Sequence, residues 1–353
     1  MHGQNRIRDY GVTVGKLPIG YYNSITDVDG VTVGHVTLSQ GEMQTGVTAI
    51  LPHQGNLFKE KLIASCHILN GFGKTMGTIQ MKELGTLETP ILLTNTLNTG
   101  TAFLALTKYM MADNPEIGRT TGTLNPVVGE CNDMYLNDIR AQFVEEHHVL
   151  SALTQTSAEF HEGAVGAGTG MVSYSLKGGV GTASREMNLE HGSYTLGVLV
   201  LANFGMLSDL KINGRAVGQE LKKAIVPPSE EEDKGSIMVI IATDLPVSER
   251  QLNRIIKRSV TGLSRTGSTI SNGSGDIIIG FSTAAKIPHE RPSQCLTTSM
   301  IHEQDIDTAF RAAGEATEEA ILNALITATH KTGRDGNERP ILSDLLTKYN
   351  ITF

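Results

Sequence analysis

A chain of 353 residues with 39% hydrophobic and 19% charged side chains can bury a sizeable core, as one large domain or two ordinary ones. Its net charge of −8 argues against a nucleic-acid partner, which would need clustered Lys and Arg. Three cysteines (Cys66, Cys131 and Cys295), odd in number, widely spaced and without a Cys-x-x-Cys, argue against a disulfide framework or a cysteine zinc site.

The opening MHGQNRIRDYG lacks the apolar stretch of a signal peptide, and no later apolar run reaches the ~20 residues of a membrane-spanning helix. A cytoplasmic protein without a membrane partner is therefore expected. Short strand-like runs bounded by Gly, Pro and Asn follow at 31–36, 47–51, 91–94 and 194–202. Helical patterns are predicted between them at 100–112 and 134–150. Two prolines and a charge run at 225–234 read as an exposed linker. The acids at 230–233 read as solvated rather than as a cation site.

Beyond the linker, 237–242 is a continuous apolar run, as in a strand buried on both faces. Pro246 and Ser248 then open a helix, with Ser248 as N-cap and Leu252, Ile255, Ile256 and Leu263 as its apolar stripe. Gly262 interrupts that stripe. A second buried strand is predicted at 277–281 and a long Ala-rich helix at 304–330, with Gly333 suited to its end. Buried strands and small-residue helices together suggest sheets sandwiched between helix layers.

The abrupt step from the acids through Gly235 and Ser236 into a core strand has two readings. One is a surface loop entering a strand. The other is self-cleavage: the Ser236 hydroxyl attacks the Gly235 carbonyl, shifting the peptide to an ester that water opens. Gly235 would then serve by permitting backbone angles that other residues resist. The new N-terminus would carry a nucleophile and an α-amine of pKa about 7.7–8.0, able to act as base beside the hydroxyl. Ser274 and Asp276 in NGSGD, at the mouth of the next strand, can orient Ser236, or can form a plain turn. Asn203, ending the run VLVLAN, can donate to an oxyanion, or can be a cap.

Other motifs are less specific. GAVGAGTG (163–170) lacks the Gly-Lys-Ser/Thr ending of a phosphate loop, and close backbone packing explains it better than a cofactor. Within it, Gly168 is a candidate for lining a substrate site. Asn95 and Asn98 in LLTNTLNTG are either substrate-lining or turn residues. The adjacent His147 and His148 cannot face one metal from one side of a helix, and no metal or other cofactor is expected.

Taken together, several stretches resemble the self-processing serine aminopeptidases that include L-aminopeptidase/D-esterase and the β-peptidyl aminopeptidases. They are RIRDYGVTVGKLPIGYYNSITDVDGVTVGH (6–35), LLTNTLNTG (92–100), PVVGECNDMYLND (126–138), GAVGAGTGM with KGGVGTASR (163–185), LVLANFG (199–205), KGSIMVIIATDLP (234–246) and NGSGDIIIGFST (272–283). The resemblance implies an α+β fold, an αββα four-layer sandwich also shared with ornithine acetyltransferase. It implies one domain, cut between Gly235 and Ser236 into an α-chain of 1–235 and a β-chain of 236–353. Ser236 would be the nucleophile, Ser274 and Asp276 its partners, Asn203 the oxyanion donor and Tyr135 a pocket residue. The implied activity removes N-terminal residues from peptides, aminoacyl amides or esters, without a metal, in a homo-oligomer, usually a tetramer. Asp276 departs from the Glu that some β-peptidyl members carry, which shortens its reach by one methylene. A self-cleaving acyltransferase and an uncut binding or scaffold relative are the alternatives.

Overall fold

The computed structural model describes residues 3–224 and 235–353; the linker reading and the acids at 230–233 lie outside them. The strands are β1 (Thr32–Gln40), β2 (Met43–Leu51), β3 (Glu60–Gly71), β4 (Thr86–Leu87), β5 (Ile91–Asn95), β6 (Val127–Cys131), β7 (Val172–Ser173), β8 (Leu176–Lys177), β9 (Gly179–Leu189), β10 (Gly192–Asn203), β11 (Ser236–Thr243) and β12 (Gly275–Pro288). The helices are α1 (Thr78–Leu84), α2 (Thr99–Asp113), α3 (Glu146–Thr154), α4 (Val217–Ala224), α5 (Glu249–Ile256), α6 (Ser259–Thr266), α7 (Ile306–Ile326) and α8 (Leu342–Lys348). The smaller of the two main sheets has the order β1-β2-β5-β6 and the larger β4-β3-β12-β11-β10-β9, while β7 and β8 form a separate two-stranded sheet.

Strand β11 shows how the layers stack. Side chains alternate between the faces of a strand. Ile237, Val239 and Ile241 join a core under α5, α6 and α7, whereas Met238, Ile240 and Ala242 join a second core shared with the four-stranded sheet. All six are fully buried. That explains the unbroken apolar run, because both faces are interior. Helices α2 and α3 cover the outer face of the smaller sheet, and α7 lies across β9 and β10. The result is the αββα sandwich the sequence predicted.

Local signals were mostly kept. Ser248 caps α5, accepting from the Gln251 N–H at 3.3 Å while Gln251 answers with a bond to the Ser248 N–H. Three expectations are corrected. The helix predicted at 134–150 is confined to Glu146–Thr154, because 134–145 is taken up by turns and a 3-10 segment capped by Asp138. The stripe through Leu252 and Leu263 is two helices, α5 and α6, not one. The long helix stops at Ile326 with Thr327 as its cap; Gly333 lies farther on, bonded to the Asn337 carbonyl at 2.9 Å. No helix among the described residues is long and apolar enough to cross a membrane.

Candidate active site

Three neighbouring strands build one polar corner. β11 runs antiparallel to β10 and parallel to β12, and the register sets Ser236 opposite both Asn203, the last residue of β10, and Gly275, the first of β12. Distant parts of the chain thereby bring Asn203, Ser236, Ser274 and Asp276 together at one end of the sheet, and all four are buried. Ser236 shares its strand face with Met238, so its side chain enters the layer between the sheets. There its hydroxyl meets the thiol of Cys131, at the end of β6. Burial, reinforced by the Glu130 charge, pushes that thiol well above its ordinary range, so it remains a neutral neighbour.

The partners are fixed independently. Ser274 Oγ donates to Asp276 Oδ1 at 2.7 Å. Its loop is closed by the Ser274 N–H on the Ser271 carbonyl at 3.0 Å. Asn70 fastens the loop to β3, its amide reaching the carbonyls of Ser271 and Asn272 at 3.1 Å each, and that of Ser274. Asn203 is held at both ends: Nδ2 donates to the Asn132 carbonyl at 3.0 Å and Oδ1 accepts the Val172 N–H at 2.9 Å.

Gly235 serves by lack of volume. A Cβ there would lie 2.0 Å from the Asn203 carbonyl oxygen and 2.5 Å from Phe204 Cα, so no other residue fits unless the end of β10 moves. The Gly235 carbonyl accepts the Gly275 N–H at 3.3 Å. The carbonyl preceding Ser236 is thus already polarised by a backbone donor.

Of the remaining predicted residues, Asn95 pairs in register with Cys131, whose thiol meets Ser236. Tyr135 directs its hydroxyl to the Glu338 carbonyl at 3.5 Å, with the Arg339 guanidinium 3.8 Å over its ring. Asn95 caps the turn into α2 by accepting from Leu97 and Asn98 N–H at 3.1 Å, and donates to Thr45 Oγ1 at 2.8 Å and Asn98 Oδ1 at 2.9 Å. Asn98 donates to the Val144 carbonyl at 3.1 Å. Both side chains are buried and occupied in holding the fold. Gly168 is buried too; a Cβ there would come 2.6 Å from both the Gly163 oxygen and the Val180 nitrogen, which fits the close-packing reading of the glycine run.

Sequence reasoning passed over three ionisable groups near this corner. Glu130 is buried on β6, accepting the Lys74 N–H at 2.9 Å and the Thr96 hydroxyl. Asp133 is buried beside Asn137, and burial raises its pKa from 3.8 to about 7 against the opposing bonds from Thr45 and Asn137. Lys177 is buried with its ammonium on three carbonyls. The available signal was acids and a lysine inside otherwise apolar or glycine-rich runs, where a charge must meet partners.

Comparison with known proteins agrees with this geometry. The model of peptidase family S58 matches residues 23–339. The chain belongs to peptidase family S58. A β-peptidyl aminopeptidase, BapA of Sphingosinicella microcystinivorans, is 37% identical over 353 residues, covering 94% of this chain and 88% of the relative. The crystal structure of the PH0078 protein from Pyrococcus horikoshii OT3 superposes with a TM-score of 0.92 at 46% identity, over 98% of this chain and 99% of the other. The L-aminopeptidase D-Ala-esterase/amidase of Ochrobactrum anthropi, described as a prototype of serine aminopeptidases and a variant of the Ntn-hydrolase fold, superposes at 0.88 with 35% identity over 99% of both chains. The S58 chain is accordingly an aminopeptidase of the serine N-terminal-nucleophile class, and neither the acyltransferase nor the scaffold alternative is favoured.

Proposed function

We propose that this S58 peptidase cuts itself between Gly235 and Ser236 and then uses Ser236, as a chain end, to remove N-terminal residues from peptides, aminoacyl amides or esters. In the first step Ser236 Oγ attacks the Gly235 carbonyl, and water hydrolyses the resulting ester. In turnover the same oxygen attacks the carbonyl of the substrate's first residue. The Ser236 α-amine or the Ser274–Asp276 pair takes the hydroxyl proton and passes it to the leaving amine. Asn203 Nδ2 steadies the oxyanion, and water then releases the acyl group. Asp276 and Glu130 are the buried carboxylates available to face a substrate ammonium.

The observation that carries this reading is the strand register, which sets Ser236 between Asn203 and the Ser274–Asp276 pair, with the Gly235 carbonyl on the Gly275 N–H. The relatives' names support the aminopeptidase activity; β-residues belong to the substrate panel, with Asp276 one methylene shorter than Glu. The reading extends to one folded domain made from both fragments, assembled as a cytoplasmic homotetramer. Intact mass under denaturing conditions tests it. Two species, 1–235 and 236–353, the second beginning Ser-Ile-Met, are expected from the wild type and one uncut species from Ser236→Ala. A wild-type chain that stays whole yet hydrolyses aminoacyl amides would overturn it.

A further inference from the structure

Lys177 is a buried charge that this mechanism does not use. Its side chain is fully buried at the end of β8, and its ammonium donates to the carbonyls of Gly168 at 3.0 Å, Met171 at 2.8 Å and Gly178 at 2.8 Å. Those three bonds use all three of its hydrogens, and all three acceptors are neutral. An ammonium held by carbonyl dipoles alone is costly to bury. Accordingly, burial, with Lys331 nearby, holds it well below the ordinary lysine range, while Asp133 acts in the opposite direction.

The Met171 carbonyl explains where that cost is used. It also accepts the Gly178 N–H at 2.9 Å, so the oxygen is gripped from two directions. The same peptide unit carries the Val172 N–H, and that N–H donates to Asn203 Oδ1 at 2.9 Å. A peptide is planar and trans, so its C=O and N–H point in opposite directions. Fixing the oxygen therefore fixes the line along which the N–H meets Asn203. An ammonium on the oxygen also polarises the unit and strengthens its N–H as a donor.

We propose that Lys177 is a positioning residue for the oxyanion donor: through the Met171–Val172 peptide it orients and polarises the Asn203 amide, so that Nδ2, anchored by one hydrogen on Asn132, presents the other to the developing oxyanion. Lys177 touches no reacting atom. The inference rests on the role proposed for Asn203, and it predicts that the two residues act as one unit.

A double-mutant cycle on the processed enzyme tests this with an aminoacyl amide substrate. Lys177→Met is expected to lower kcat about 10- to 100-fold, part of the ~10²–10³ typical of losing a whole oxyanion donor, with KM changed less than about 2-fold. In an Asn203→Ala background the same substitution is expected to cost less than about 2-fold more, because the relay then has no end. Independent, multiplying losses would mean that Lys177 acts only on the fold and would overturn the inference. A silent Lys177→Met beside a damaging Asn203→Ala would overturn it alone. A silent Asn203→Ala would instead remove the oxyanion reading itself. If Lys177→Met does not fold, Lys177→Gln, which keeps a neutral donor, goes through the same cycle; failure of both to fold assigns the residue to the scaffold and ends the proposal.

Discussion

Two groups of buried charges flank β9 and β10, and they are neutralised in opposite ways. Under α7, Arg185 donates to Glu319 at 2.7 Å and Glu315 at 3.3 Å, and Arg8 pairs with Glu319 at 2.6 Å. Burial would raise Glu319, but the bond from Arg8 and the charges of Arg185 and Arg8 outweigh it and hold the carboxyl below its usual range. At the other end, Lys177 rests on carbonyls, and the Asp133 carboxyl accepts from the Asn137 amide at 3.1 Å. The first group fastens the N-terminal segment to α7, with Arg185 also bonded to the Val14 carbonyl at 2.8 Å. The second reaches Asn203 through the Met171–Val172 peptide. Opposite charges that satisfy one another make a clamp. In the second group the charges rest on dipoles instead, and the peptide that Lys177 holds is the one bonded to Asn203.

The contrast can be broken from either side. The largest effect is expected from Gly235→Val, whose side chain would meet the Asn203 carbonyl: processing should stop, and intact mass should show a whole, inactive chain. Asn203→Ala should follow, with kcat lower by about 10²–10³ and processing slowed, measured by initial rates and by the time course of fragment appearance. Arg185→Met should act on the clamp alone. Leaving Glu315 and Glu319 without that cation should cost about 3–5 kcal/mol of stability in denaturant melts, while activity per folded molecule changes little.

The smallest effect separates the groups by pH. The folded-state pKa of Asp133 is raised from 3.8 to about 7, so the native state binds the extra proton between those values. Its contribution to stability is fully present below pH 3.8 and is lost as pH rises through about 7. Glu319, depressed, contributes in the opposite sense: its share is present above the unfolded value and is lost as pH falls through the folded one. Asp133→Asn should therefore flatten the decline of stability between about pH 4 and pH 7, read as denaturant midpoints against wild type. An unchanged slope would show that Asp133 is not the group titrating there.

How much of this was written in the sequence depends on the range of the forces involved. The both-faces-buried strand at 237–242 was legible because continuous apolarity has one cheap explanation, and the Ser248 cap because its partner is three residues away. Ser236, Ser274, Asp276 and Asn203 were legible one by one, each at the edge of an apolar run. Their meeting was implied by the family resemblance and not by the residues one by one, since it depends on the register of three strands. The helix that failed did so for a tertiary reason. The segment 134–145 has helical periodicity but is spent on tertiary bonds, such as the Asn137 carbonyl oxygen Oδ1 accepting from Gln44 at 3.1 Å. Asn95 and Asn98 were legible only as substrate-lining or turn residues, because the partners that engage their amides, Thr45 and Val144, are far off in sequence.

The larger sheet has a consequence for how the molecule could come apart. Its strand order sets β12 and β11 between β3 on one side and β10 on the other, so the pieces before and after Gly235 alternate like laced fingers. A scission at that bond would leave the piece after it with only the β11–β12 ladder, both of whose outer edges are paired with strands of the other piece. The severed protein should melt in a single step, both halves released at the same temperature, and neither half made by itself should fold until the other is supplied.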